Sequence, residues 1–289
     1  MSASLGIPGH GPVKALSNIG GTLCVSLVLL FAGCSQMEIY EREISSSARA
    51  LETARDDAHR AAAHSRLGSA YSEKARYSRA FNLIPAGEYE RLFGLAINHH
   101  EQAIALDPAS AVAYYSRGRT YFDRAFLETM VNGSLVGTDA SRKAWYAPAA
   151  ADFQKAVEKD AKHSEAWDML GLSHQRVGEL DEAIGAYSQE MALNRLGRSR
   201  LAEAYCDRGE LHQKEKQLDA AIADYEKSIA TGAMPDECSC DPYNPLLGLY
   251  SESRRYDQSW AVVHMALKVG KWIAPDSLAI LKKESGRSN

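Results

Sequence analysis

The chain has 289 residues, with 33 Lys and Arg against 37 Asp and Glu and a formal net charge of -4. No basic run or basic face interrupts that balance, which argues against nucleic acid as a partner. The 256 residues after position 33 are too many for one compact core, a limit that does not apply to a stack of repeated units.

Residues 1–33 contain one Lys (Lys14), no Asp, Glu or Arg, and an apolar run from Ile19 to Phe31. That run is shorter than the roughly 20 residues a membrane-spanning helix needs. With small residues after it, the segment has the layout of a secretory signal. Leu30, Phe31, Ala32, Gly33 and Cys34 together resemble the lipoprotein box of bacterial lipoproteins. The resemblance implies that Cys34 is lipidated and becomes the first mature residue, tying the chain to a membrane. Ser35, where an Asp would signal inner-membrane retention, implies, by the same resemblance and for a source with two membranes, an outer-membrane location in the cell envelope, facing the periplasm. The alternative reading is an uncleaved anchor with an incidental cysteine.

Residues 34–60 form an N-terminal tether or helix. Ile39, Ile44, Ala48, Leu51, Ala54 and Ala58 recur at spacings of three to five, so Met37 to Ala63 is expected as one amphipathic helix. It is expected to pack on the unit that follows; a free, solvated tether is the competing view.

A pattern with a period near 34 then returns five times. Each copy needs a small residue where its first helix crosses its second. The copies are Leu67, Gly68, Tyr71, Ala96, Ala103, Ile104 and Pro108; Tyr114, Gly118, Tyr121, Ala149, Phe153, Ala156 and Val157; Trp167, Leu170, Gly171, Ala183 and Tyr187; Tyr205, Gly209, His212, Ala221, Tyr225, Ser228 and Ile229; and Tyr243, Leu246, Leu247, Tyr250, Ser259, Val263, Ala266 and Leu267. These residues resemble the tetratricopeptide repeat family over 61–273. The resemblance implies an all-α, right-handed α-solenoid of about five helix pairs. Glu190 replaces a small residue in the third copy, and Leu247 replaces the crossing Gly in the fifth. Residues 274–289 are a capping helix and tail, with the helix from Pro275 to Ser285.

Two insertions, near 72–91 and 122–147, exceed the family spacing by 16 and 19 residues. Phe81, Leu83, Ile84, Tyr89, Leu92 and Phe93 mark the first. Phe126, Leu127, Met130, Val131, Leu135, Trp145 and Tyr146 mark the second, where Asn132, Gly133 and Gly137 supply turn chemistry. Either the helices are lengthened and the insertions bury each other, or they form a lobe that grips a partner.

His100, His174 and His212 fall where the family usually has an aromatic residue, and they are read as one recurring position. Packing is expected of them, and no metal site; His99 points elsewhere than His100. Of the cysteines, Cys206 with Cys238 or Cys240 could bridge the fourth and fifth copies. A Cys238–Cys240 bridge and a three-thiolate metal site are the alternatives.

The resemblance places a peptide-binding groove on the first helices: Tyr115, Arg119 and Phe122; Asp168, Gln175 and Arg176; Glu203, Glu210 and Lys214. Arg119 and Arg176 would hold an acidic side chain or a C-terminal carboxylate. Glu101, Glu182 and Asp224 are expected on outward faces of second helices. No Gly-rich phosphate loop or serine elbow is present, so neither an enzyme nor a cofactor is expected. The expected function is a lipid-anchored, periplasm-facing adaptor for an envelope protein, such as a cell-wall enzyme or an outer-membrane or pilus assembly component. The alternative is a polysaccharide-export or glycan-binding accessory that stacks sugars on Trp145, Tyr146 and Tyr115. The sequence leaves the oligomeric state open.

Overall fold

The structure, a computed structural model, describes residues 36–81, 83–131, 134–135, 138–194, 197–233 and 239–287. Its helices are α1 (36–52), α2 (Asp57–Ala80), α3 (Ala86–Leu106), α4 (Ala111–Thr129), α5 (Asp139–Lys159), α6 (Ser164–Val177), α7 (Leu180–Leu193), α8 (Arg198–Lys214), α9 (Leu218–Ala230), α10 (Tyr243–Glu252), α11 (Tyr256–Lys268) and α12 (Pro275–Ser285). Five consecutive pairs, from α2/α3 to α10/α11, stack as an α-solenoid. The strands β1 (Met130–Val131) and β2 (Ser134–Leu135) form a small antiparallel ribbon with Met130 opposite Leu135.

The crossing residues explain why the pairs close. A Cβ added to Gly171 would sit 2.6 Å from the Tyr187 ring, and one on Gly118 would sit 2.9 Å from Phe153. Gly209 faces Tyr225 and Gly68 faces His100 in the same way. In the fifth pair the sizes are exchanged: Leu247 takes the Gly position and Val263 the aromatic one, and both are buried in one cluster. The fifth unit is therefore packed by volume exchange.

The turn inside three of the pairs also repeats. Gly178 has φ +81° and closes α6, with Glu179 N donating to His174 O at 3.0 Å. Gln217 N donates to His212 O and Arg255 N to Tyr250 O, each at 2.8 Å, after Lys216 and Arg254 at φ 62° and 58°. A side chain with a Cβ pays a steric penalty in this left-handed region that Gly avoids. Arg254→Gly is therefore expected to stabilise the protein by about 1 kcal/mol. A thermal melt with an unchanged or lowered Tm would reject that account of the turn.

The stretch from Met37 to Ala63, expected as one helix, is two. Residues 53–55 leave the helix, and Asp56 then caps α2 by accepting from His59 N at 2.8 Å. The periodicity continues through the break, which hid it. α1 turns back along α2: Tyr40 meets Tyr77 with ring centroids 5.8 Å apart, Ser78 lies 3.4 Å from Met37 Sδ, and Glu41 pairs with Lys74.

The extra residues mainly lengthen helices. α2, α3, α4 and α5 have 24, 21, 19 and 21 residues, against 14 in α6 and in α7. The extensions meet each other: Leu127 packs on the cluster of Ala75, Tyr89, Leu92 and Phe93, and Arg124 pairs with Glu90 at 2.8 Å. Phe81 and Trp145 stay exposed. At the other end α12 buries Leu281, and Trp260 Nε1 donates to Ser285 Oγ at 3.2 Å.

Candidate binding groove

First helices of neighbouring pairs are joined by polar rungs. Arg119 on α4 lies 3.8 Å from both Glu73 on α2 and Asp123 on its own helix. Burial pushes the Asp123 carboxyl up to about 6. Between α6 and α8, Asp168 pairs with Arg200 at 2.7 Å and Gln175 donates to Asp207 at 2.6 Å. Leu172, Gln175, Arg176, Arg200, Glu203 and Asp207 enclose a cleft of about 250 Å³.

This cleft gathers three of the expected groove residues: Gln175, Arg176 and Glu203. Gln175 also accepts from Tyr187 OH at 2.9 Å. Glu203 accepts from Ser239 N at 3.0 Å and Ser239 Oγ at 2.8 Å. Arg176 lies over the Phe126 ring, 5.7 Å from its centroid, and its buried Nε has no hydrogen-bond partner. Asp168 lies beside the cleft, on the Arg200 rung. Tyr115 is half-buried, its ring 4.7 Å from His163 and 5.8 Å from Phe153. Glu210 and Lys214 stand exposed, 4.0 Å apart, and do not line the cleft.

Phe122 does not belong to a groove. It is only 6% exposed and packs against Phe126 and, on α5, Tyr146. Arg200 and Asp207 were missed by sequence reasoning. The signal was available: with Glu203 they are spaced by three and four on α8, which places all three on one helical face. A second cleft, of about 680 Å³, lies among α1, α2 and α4, lined by Ile39, Arg42, Ser46, Ser69, Glu73 and Val112. It escaped notice because Met37 to Ala63 was expected as one helix, so the return of α1 along α2 was not foreseen.

Asp224 is not outward. It is 2% exposed and accepts two bonds from Arg208, at 2.7 and 2.8 Å. Asp152 holds Arg117 with the same two distances. The residue separations are 16 and 35, and the difference equals the second insertion. Glu101 and Glu182 are exposed.

The three histidines do not share one position. His174 and His212 are equivalent, bonding Glu179 and Gln217 across their turns at 2.8 and 2.7 Å. His100 stands on a second helix, fully buried in the aromatic place opposite Gly68, and burial pulls its pKa down to about 4. Among the described residues no group of three or more His, Cys, Asp or Glu is placed to hold a metal.

Cys206 and Cys240 share no disulfide; their sulfurs lie 3.2 and 3.9 Å from the same Ser228 Oγ. Cys34, Cys238, Asn132, Gly133 and Gly137 lie outside the described residues.

Glu190, the misfit of the third pair, is 6% exposed, and its Oε2 has no hydrogen-bond partner. It presses on Gly197, where an added Cβ would sit 2.7 Å from Oε2.

Residues 202–230, which span most of α8 and all of α9, match the family model of the tetratricopeptide repeat. Among solved structures, that of MamA protein is similar with 19% identity, covering 77% of this chain and 96% of its own, at a TM-score of 0.39. YrrB, described as a TPR protein with an unusual peptide-binding site, has 18% identity, coverages of 75% and 91%, and a TM-score of 0.39. PilF of Pseudomonas aeruginosa has 16% identity, coverages of 74% and 86%, and a TM-score of 0.36. At these values the likenesses carry no argument about function. No curated protein sequence matches the chain. The chain thus carries a tetratricopeptide repeat at residues 202–230, set in a stack of helix pairs that share its crossing pattern.

Proposed function

We propose that this protein is a non-enzymatic scaffold that holds a segment of a protein partner along its first helices. The observation behind this reading is the state of the α6/α8 cleft. Its carboxylates already accept hydrogen bonds, while the Arg176 Nε has no partner. A buried donor without an acceptor is costly, and an incoming carboxylate relieves it with a charge-assisted bond. The ligand is therefore a peptide segment with an acidic side chain or a C-terminal carboxylate at that point. The leader of residues 1–33 and Cys34 supports a finer reading: a lipid-anchored scaffold on the periplasmic side of the outer membrane, serving an envelope protein.

The glycan reading is weaker, since Tyr146 is buried and cannot offer its ring to a sugar. Arg176→Ala tests the cleft, with circular dichroism confirming that the variant is folded. Crosslinking in cells with full-length protein is expected to lose at least about 90% of the captured partner, a tenfold effect. Capture unaffected by that change removes the cleft from the binding surface.

A further inference from the structure

The third pair contains a charge that its packing cannot accommodate, and it sits beside the cleft. Position 190 carries Glu where the corresponding residues of neighbouring copies, Ala156 and Ser228, are small. The carboxylate is enclosed where α7 runs into the start of α8. Gly197 leaves it just enough space, and α8 has no side-chain cap there. The ionisable groups facing it are Asp168 and Glu165 on α6 and Arg200 on α8. Arg200 is engaged elsewhere, on Asp168 at 2.7 Å.

We propose that Glu190 is a proton-operated latch: protonated, it leaves Arg200 on Asp168 in the cleft wall; ionised, it competes with Asp168 for Arg200 and loosens the α7/α8 junction. The physical reason is that an unpaired carboxylate does not stay buried. It either keeps its proton or recruits a cation, and Arg200 is the cation at hand. Burial, with Asp168 adding repulsion, pushes the Glu190 carboxyl up to about 7. A carboxyl whose folded pKa lies above its unfolded value stabilises the fold below the unfolded pKa. That contribution is lost as pH rises through about 7. The closed junction therefore belongs to mildly acidic conditions. Asp123 also rises to about 6, but it lies on α4 against Arg119 and Arg76, so its titration acts at the other rung.

This inference rests on the proposed cleft only for its consequence, and the test separates the two. Amide hydrogen exchange, corrected for intrinsic rates, is measured from pH 5.5 to 8.5 on the full chain and on Glu190→Gln. Wild type is expected to lose protection in 186–194 and 197–202 across this window, by about tenfold, and Glu190→Gln is expected to show a flat profile. The same pH response in Glu190→Gln, or no response in wild type, overturns the latch. Glu190→Ala, which copies the small residue of neighbouring units, is a second variant and should also be flat. Partner capture is then compared at pH 6 and 8. A pH-dependent exchange profile without pH-dependent capture keeps the latch but detaches it from the binding site.

Discussion

Gly171→Leu is expected to destabilise the protein by about 4 kcal/mol or more, beyond the usual range for a single substitution. An added Cβ alone would stand 2.6 Å from the Tyr187 ring, and Tyr187 is fully buried. The ring cannot step aside, because Gln175 holds its hydroxyl at 2.9 Å and Ala183 and Leu201 pack in the same cluster. In a stack each pair touches only its neighbours, so the damage should start at α6/α7 and spread through the interfaces on either side. The fifth pair indicates the repair. Leu247 and Val263 occupy the positions of Gly171 and Tyr187 and are both buried. Gly171→Leu/Tyr187→Val is therefore expected to recover more than half of the loss. Urea unfolding followed by circular dichroism measures both. A single variant within about 1 kcal/mol of wild type would show that the crossing tolerates a side chain. A double variant no better than the single would show that size exchange is not what closes the fifth pair.

The repeat was legible because its constraint is steric and local. Gly68, Gly118, Gly171 and Gly209 each face a ring in the structure, and a Gly beside large apolar residues at a fixed period states that contact directly. The insertions were legible as lengths and apolar content, but not as structure. Phe126, Leu127 and Tyr146 could be read as an exposed lobe or as lengthened core; only the packing of α4 on α5 and on the first pair decides between them. The groove was legible as a set of helix faces, but its occupancy was not. Whether Arg119, Asp168 or Gln175 is available depends on Glu73, Arg200 and Asp207, residues of the neighbouring pair whose reach no single helix reveals. Asp224 was misread for a related reason. A charged residue was assigned outward by default, although its register matches the buried Ala186 of the third pair.

That register supports the second large effect. In the third pair the positions of Arg208 and Asp224 are held by Leu170 and Ala186, and in the fifth by Leu246 and Val262, all buried. The fold thus uses either an ion pair or an apolar pair at the same place. Arg208→Leu removes both bonds to Asp224, whose carboxylate is nearly sealed from water. Leaving one buried charge without its partner costs about 3–5 kcal/mol. The His212 imidazole, 3.6 Å from Asp224, stays beside the carboxylate but does not replace the two guanidinium bonds. Arg208→Leu/Asp224→Ala, which writes the third pair's solution into the fourth, is expected to lie within about 1 kcal/mol of wild type or above it. Urea midpoints of the single and double variants decide the matter. A double variant as unstable as Arg208→Leu would mean that the ion pair orients α8 on α9 in a way apolar packing cannot replace. A single variant within about 1 kcal/mol of wild type would mean that Asp224 escapes to solvent, so that the two registers are not equivalent.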